Sequence, residues 1–149
     1  MANREYIVSD PQLASDLRMV VTRLIKKLRN KSTANEKLSL TERSTLRQLD
    51  QHKELLPSEL AAMEKITTQS MSQILGHLSE LGYITRRISD TDKRKSIISL
   101  SERGQEMLYK VRNERDEWLN RAIRETCSPG EQEALRRALI PLTKLVDFD

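Results

Sequence analysis

The chain has 149 residues, about one domain's length, and its 26 Lys and Arg against 22 Asp and Glu leave a net charge of only +4. That balance excludes a polybasic tail protein, so where the charges sit matters more than their sum. The lone Cys127 excludes an intramolecular disulfide and fits a reducing compartment. No run of about 18 apolar residues is present to span a membrane. Met1-Ala2-Asn3-Arg4-Glu5 lacks the apolar core of a signal peptide, so a cytoplasmic protein is expected.

Asp10-Pro11 reads as a helix start, with Asp as N-cap and Pro at the first helical position. Leu13, Leu17, Val20, Leu24 and Leu28 then recur at helical spacing, and Val21 and Ile25 widen the stripe. A polar connection over 34–38 follows. Thr41 with Arg43-Ser44 opens the next helix, which carries Leu46 and Leu49 inward and ends near His52. Pro57-Ser58-Glu59 starts a short helix that buries Leu60 and Ala61. Thr67 caps a further helix over 68–81. Met71, Ile74, Leu75, Leu78 and Leu81 fall on one side of it; Gln69, Ser72, Gln73, Gly76 and Glu80 fall on the other. Gly82 suits a left-handed position just past its end.

The period then changes from helical to extended. A β-hairpin is expected over 83–88 and 96–100, with Asp92-Lys93-Arg94-Lys95 at its tip. Ser101-Glu102-Arg103-Gly104 begins a long helix with Leu108, Val111, Trp118, Leu119, Ala122 and Ile123 in its stripe, reaching about Thr126. Ser128-Pro129-Gly130-Glu131 caps a last helix lined by Leu135, Leu139, Leu142, Leu145 and Val146. Pro141 lies inside it and is expected to kink or divide it.

The fold class is therefore mostly α with a small β-hairpin (α+β). Three regions are expected: an N-terminal helix over 1–37, a winged helix-turn-helix over 38–101, and C-terminal helices over 102–149. The end regions carry more apolar stripe than one small domain can hide. A homodimer follows, with Leu13, Leu17, Leu119, Leu135, Leu139, Leu142 and Leu145 at the interface. One intramolecular bundle is the alternative.

Helix, turn, helix and a cationic hairpin form the layout of a DNA-binding winged helix, the helix in the major groove and an arginine of the hairpin in the minor groove. Arg94 is the candidate for the minor groove, and Asp92 can fork onto its guanidinium and hold its direction. Lys65, Arg86, Lys93 and Lys95 are candidate phosphate contacts. Thr68 and Ser70, beside the Thr67 cap, are placed to touch phosphate through backbone N–H groups. Base reading falls to Gln69, Ser72, Gln73 and His77, because the outward face of this helix has no Lys or Arg.

An ordered series along the chain resembles the MarR family of bacterial transcription regulators. It runs Leu40-Thr41, Leu46-Arg47-Gln48-Leu49, Ser58-Glu59-Leu60-Ala61, Leu78-Ser79-Glu80-Leu81-Gly82-Tyr83-Ile84, Arg86-Arg87, Asp92-Lys93-Arg94, Ile98-Ser99-Leu100-Ser101 and Gly104. The resemblance implies a triangular homodimer joined through its terminal helices. It also implies binding to pseudo-palindromic operator DNA, usually to repress, and in many members release by a phenolic or lipophilic compound. The family wing commonly reads Asp-Pro-x-Asp-Arg-Arg. Here Ser89-Asp90 stands for the Asp-Pro and Lys93 for the first Arg, while Asp92 and Arg94 are kept. The recognition helix often carries Arg at two outward sites, which here are Gln73 and His77. A different operator is implied.

A pocket for an effector is expected where the first helix, the helix ending at His52 and the start of the long helix meet, served by Arg18, Arg47, Tyr109 and Trp118. No cofactor is expected. His52 and His77 are too few and too scattered for a specific metal site, and Cys127 has no evident activating partner beyond Arg124. No Ser-His-Asp or Cys-His arrangement, glycine-rich phosphate loop or carboxylate cluster presents itself, so an enzyme is not expected. The alternative reading is a winged-helix adaptor whose cationic hairpin meets an acidic protein partner.

Overall fold

The computed structural model describes residues 10–149; the first residues, read above for a signal sequence, lie outside that range. Among the described residues the order is α1 (Pro11–Arg29), α2 (Leu40–His52), β1 (Glu54–Leu55), α3 (Pro57–Glu64), α4 (Thr68–Glu80), β2 (Ile84–Ile88), β3 (Ser96–Leu100), α5 (Glu102–Thr126) and α6 (Pro129–Val146). The chain is mostly helical with one small antiparallel sheet. It divides into two compact units, Ser32–Asp116 and the two ends, 10–31 with 117–149. No described helix is long and apolar enough to cross a membrane.

The central unit holds the core. Leu46 and Leu49 of α2, Leu60 of α3, Met71, Leu75 and Leu78 of α4 and Ile98 of β3 are essentially inaccessible. Each such side chain stabilises the fold by roughly 1.5–3 kcal/mol through burial. Met107 and Val111 close the cluster from α5. The apolar spacing of α4 is thus satisfied on one side, which leaves its polar side in water.

Two starts differ from the sequence reading. α2 begins earlier than Thr41, because Ser39 and Glu42 form a capping box: the Ser39 hydroxyl accepts the Glu42 N–H (3.1 Å), and Glu42 Oε2 accepts the Ser39 N–H (2.7 Å). β2 begins at Ile84 rather than Tyr83, since the Tyr83 N–H goes back to the Leu78 carbonyl (3.0 Å) and finishes α4. Gly82 takes φ +78° there, as its position past the helix required.

The hairpin pairs Ile84 with Leu100 and Ile88 with Ser96. β1, too short to read from sequence, adds to the far side of β3 through Glu54 and Leu55, giving the order β1-β3-β2. The base of the hairpin is knotted to α5. The Ser101 hydroxyl donates to the Gly82 carbonyl (2.5 Å) and accepts from the Gly104 N–H (3.0 Å), while the Ser101 N–H donates to the Tyr83 carbonyl (3.0 Å).

In the terminal unit Asp10 caps α1 as expected, accepting from the N–H groups of Gln12 and Leu13 at 3.1 Å each. The ammonium groups of Lys27 and Lys31 lie 5.6 and 5.0 Å from the centre of the Trp118 ring. α6 is not divided at Pro141; one helix runs from Pro129 to Val146. Pro141 is exposed, so water can take the carbonyl bond that its missing N–H leaves open. No residue of α1 or α6 is buried.

Candidate nucleic-acid interface

The seven residues between β2 and β3 form an ordered loop. Its centre is Ser89, only 8% exposed, whose hydroxyl pairs with Thr91 Oγ1 (3.1 Å) and accepts from the N–H groups of Thr91 (3.3 Å) and Asp92 (3.4 Å). Backbone bonds from Ser89 N–H to the Lys95 carbonyl (2.9 Å) and from Lys95 N–H to the Asp92 carbonyl (3.0 Å) close it. Serine therefore organises this turn through its side chain.

Asp92 and Arg94 meet as the sequence suggested. Asp92 Oδ1 accepts the Arg94 backbone N–H at 3.0 Å and its Nε–H at 3.3 Å. These two bonds, backbone first, hold the Asp92 carboxyl below the usual carboxylate range. Nε is the guanidinium nitrogen engaged, and the Arg94 side chain is 92% exposed. The arrangement presents a cation at the tip of a narrow hairpin with its direction constrained. Lys93 and Lys95 flank it in the open, and Arg86 is exposed on β2. Its neighbour Arg87 is committed elsewhere: both Nε (3.3 Å) and Nη2 (3.0 Å) bond the Glu54 carboxylate of β1, which raises the Arg87 pKa further.

α4 is positioned by its cap. Thr67 Oγ1 accepts the Ser70 N–H (3.1 Å) and its hydroxyl meets Ser70 Oγ (2.9 Å). Thr68, Gln69, Ser70, Ser72, Gln73 and His77 are all exposed. Lys65 makes the turn before α4 in left-handed conformation (φ 55°, ψ 42°), with its side chain in solvent. A groove of about 350 Å³ joins the starts of α3 and α4 to the wing; Pro57, Ser58, Thr68, Arg94, Lys95 and Ser96 line it. Unpaired N–H groups at helix starts together with two cations suit an anion such as a phosphate. Ser58 and Ser96 were not singled out from sequence, since a surface serine carries no periodic signal.

His77 differs from its neighbours on α4. Its Nδ1 is hydrogen-bonded to Glu42 Oε1 of α2, while the side chain stays 45% exposed. Glu42 is buried, which pushes its pKa up, but the bonds from His77 and Ser39 outweigh that, so its carboxyl lies below its ordinary value.

Of the four residues expected to serve an effector pocket, Arg47 and Tyr109 lie in the central unit and Arg18 and Trp118 in the terminal unit. In the central unit a cavity of about 660 Å³ opens between α2, β3 and α5; Leu49, Lys53, Leu100, Leu108, Tyr109 and Arg112 are among its walls. Tyr109 is there, whereas Arg47 is exposed on α2 outside the lining. Arg18 and Trp118 belong to the terminal unit, where Trp118 is occupied by Lys27 and Lys31. In the same unit Leu13, Leu135, Leu139 and Leu145 are exposed, and Leu17, Leu119 and Leu142 are half-buried.

A sequence profile described as MarR family matches residues 37–95, the stretch from the start of α2 to the wing tip. An HTH-type transcriptional regulator of Mycobacterium bovis is 33% identical over 139 residues, covering 93% of this chain and 96% of the relative. The crystal structure of a transcriptional regulator protein from Pseudomonas aeruginosa is similar at 32% identity and TM-score 0.75, over 93% of this chain and 96% of that one. A mutant of MepR from S. aureus, solved bound to an oligodeoxyribonucleotide, shares the fold at 20% identity and TM-score 0.69, over 90% of this chain and 97% of that one.

Proposed function

Because the chain belongs to the MarR family of transcription regulators, we propose that it binds a pseudo-palindromic operator as a homodimer, represses from it, and leaves it when a small lipophilic or phenolic compound binds. The observation that carries the DNA-binding reading is the Asp92–Arg94 pair at the wing tip, held beside the exposed polar face of α4 within one compact unit. In this reading Arg94 enters the minor groove, Gln69, Ser72, Gln73 and His77 meet base edges in the major groove, and Thr68, Ser70, Lys65, Arg86, Lys93 and Lys95 hold phosphates.

Dimerisation is supported by the terminal helices. Leu13 and Val20 of α1 and Leu139, Ile140 and Leu145 of α6 are each about three-fifths exposed, more large apolar surface than these helices would leave to water if nothing covered it. Two wings held by such a dimer would address half-sites about one duplex turn, roughly 34–36 Å, apart. The cavity beside Tyr109, with Leu49, Leu100 and Leu108 in its walls, is a place for an effector. Selection of bound duplexes from a random pool by the purified protein, repeated with lipophilic acids, tests the whole reading. An inverted repeat should emerge, and its binding should weaken with at least one acid. A protein that does not distinguish selected from scrambled duplex is an adaptor or an architectural binder instead.

A further inference from the structure

α4 reaches α2 by more than apolar packing, because its outward His77 is bonded to the buried Glu42 carboxylate. We propose that Glu42 is a positioning residue for DNA reading: it accepts a hydrogen bond from the Nδ1–H of His77, fixes the imidazole, and leaves Nε2 as the atom that meets the base edge. The inference rests on the DNA-binding function proposed above and names a residue of α2 that acts through α4.

Both carboxylate oxygens of Glu42 are engaged. Oε2 accepts the Ser39 N–H at 2.7 Å, and Oε1 receives His77. The capping box therefore anchors the carboxylate to the first turn of α2, and the carboxylate anchors the ring. An ionised carboxylate only accepts hydrogen bonds, so the proton in the shared bond belongs to Nδ1. In the neutral ring Nε2 is then an acceptor, which suits an exocyclic amino group of adenine or cytosine in the major groove. His77 lies one helical turn beyond Gln73 and two beyond Gln69, all exposed along the same side of α4. Without Glu42 the imidazole is free to rotate and to exchange its tautomer, and its selectivity should fall.

The test compares wild type, Glu42→Gln, His77→Ala and the double variant in selection from a randomised duplex pool. Glutamine keeps a side-chain acceptor for the Ser39 N–H and so preserves the cap. Glu42→Gln and His77→Ala should relax preference at the same base position of each half-site, by about threefold to tenfold. The double variant should be no worse than His77→Ala, since one contact is being removed twice. Glu42→Gln with wild-type preference, or His77→Ala with wild-type preference, overturns the assignment while leaving DNA reading intact. A wild-type chain with no duplex preference removes both. Nitrogen NMR of the wild-type His77 ring supplies a readout that needs no variant to fold: the neutral ring should carry its proton on Nδ1, and a proton on Nε2 refutes the proposal.

Discussion

The Arg94 side chain is exposed and makes no core contact, so its removal isolates function from folding. Arg94→Ala should leave the melting temperature unchanged and weaken operator binding by about 1 kcal/mol or more, the scale of one charge-assisted contact; operator titration by fluorescence anisotropy measures it. Asp92→Asn should weaken binding less, because it loosens the guanidinium without removing it. Glu42 predicts a pH dependence of stability. Its folded carboxyl lies below its ordinary value, so the stabilisation is present above the unfolded pKa and is lost as pH falls through the lower folded one. Urea midpoints measured down the acid range should fall for wild type, and the fall should be smaller for Glu42→Gln; parallel curves would deny the linkage. Lys65 separates charge from backbone. Its left-handed conformation costs an ordinary residue about 1–2 kcal/mol that glycine avoids. Lys65→Gly should therefore not lower stability, while making operator affinity less salt-dependent if this ammonium meets a phosphate.

Among the elements, the joint between hairpin and α5 depends on a close backbone approach. A Cβ built on Gly104 would lie 2.1 Å from the Tyr83 carbonyl oxygen and 3.0 Å from its carbon, and both are backbone atoms that cannot swing aside. Gly104→Ala should destabilise the central unit by about 1–3 kcal/mol, the usual cost of overpacking. A Cβ at Gly76, in the middle of α4, would meet nothing within 4 Å, so Gly76→Ala should stabilise by up to about 1 kcal/mol through helix propensity. Chemical denaturation of the two variants checks the opposite signs. The same contrast explains what could be read before the structure. Helices with strong periodicity and a polar cap, such as α1 from Asp10 and α4 from Thr67, were legible because local chemistry fixes them. The Asp92–Arg94 fork was legible because two residues of separation bring the groups together. β1 was not, since two residues carry no period and its pairing with β3 spans more than forty residues. The start of α2 is written locally too, in the Ser39-x-x-Glu42 capping pattern. The Glu42–His77 bond links positions 35 residues apart and had no signal in a single sequence. Helical stripes do not say which side chains share a wall, which is why Tyr109 was legible as a pocket residue and Leu49, Leu100 and Arg112 beside it were not.

At the scale of the whole molecule, two numbers decide whether paired copies act on DNA together. If six to ten phosphates are neutralised per dimer, log affinity should fall with log salt with a slope of roughly −5 to −9. A slope near half that range would point to a single copy on its half-site. Dimerisation itself can be attacked away from the wing. Leu139 on α6 is 61% exposed and belongs to the terminal unit, so replacing it removes nothing from the central core. Leu139→Glu places a charge where the proposed partner would bury it, and a buried unpaired charge costs several kcal/mol after relaxation. The variant should sediment at half the wild-type mass with its helical circular dichroism retained. Its operator affinity should drop steeply, because two half-sites are then bound without the linkage that makes the second event intramolecular. Binding to one half-site should persist, as the wing and α4 are untouched. A Leu139→Glu chain that remains dimeric would move the interface elsewhere on the terminal helices. A wild-type chain that sediments as a monomer at the concentrations where it binds the full operator would end the paired-wing arrangement.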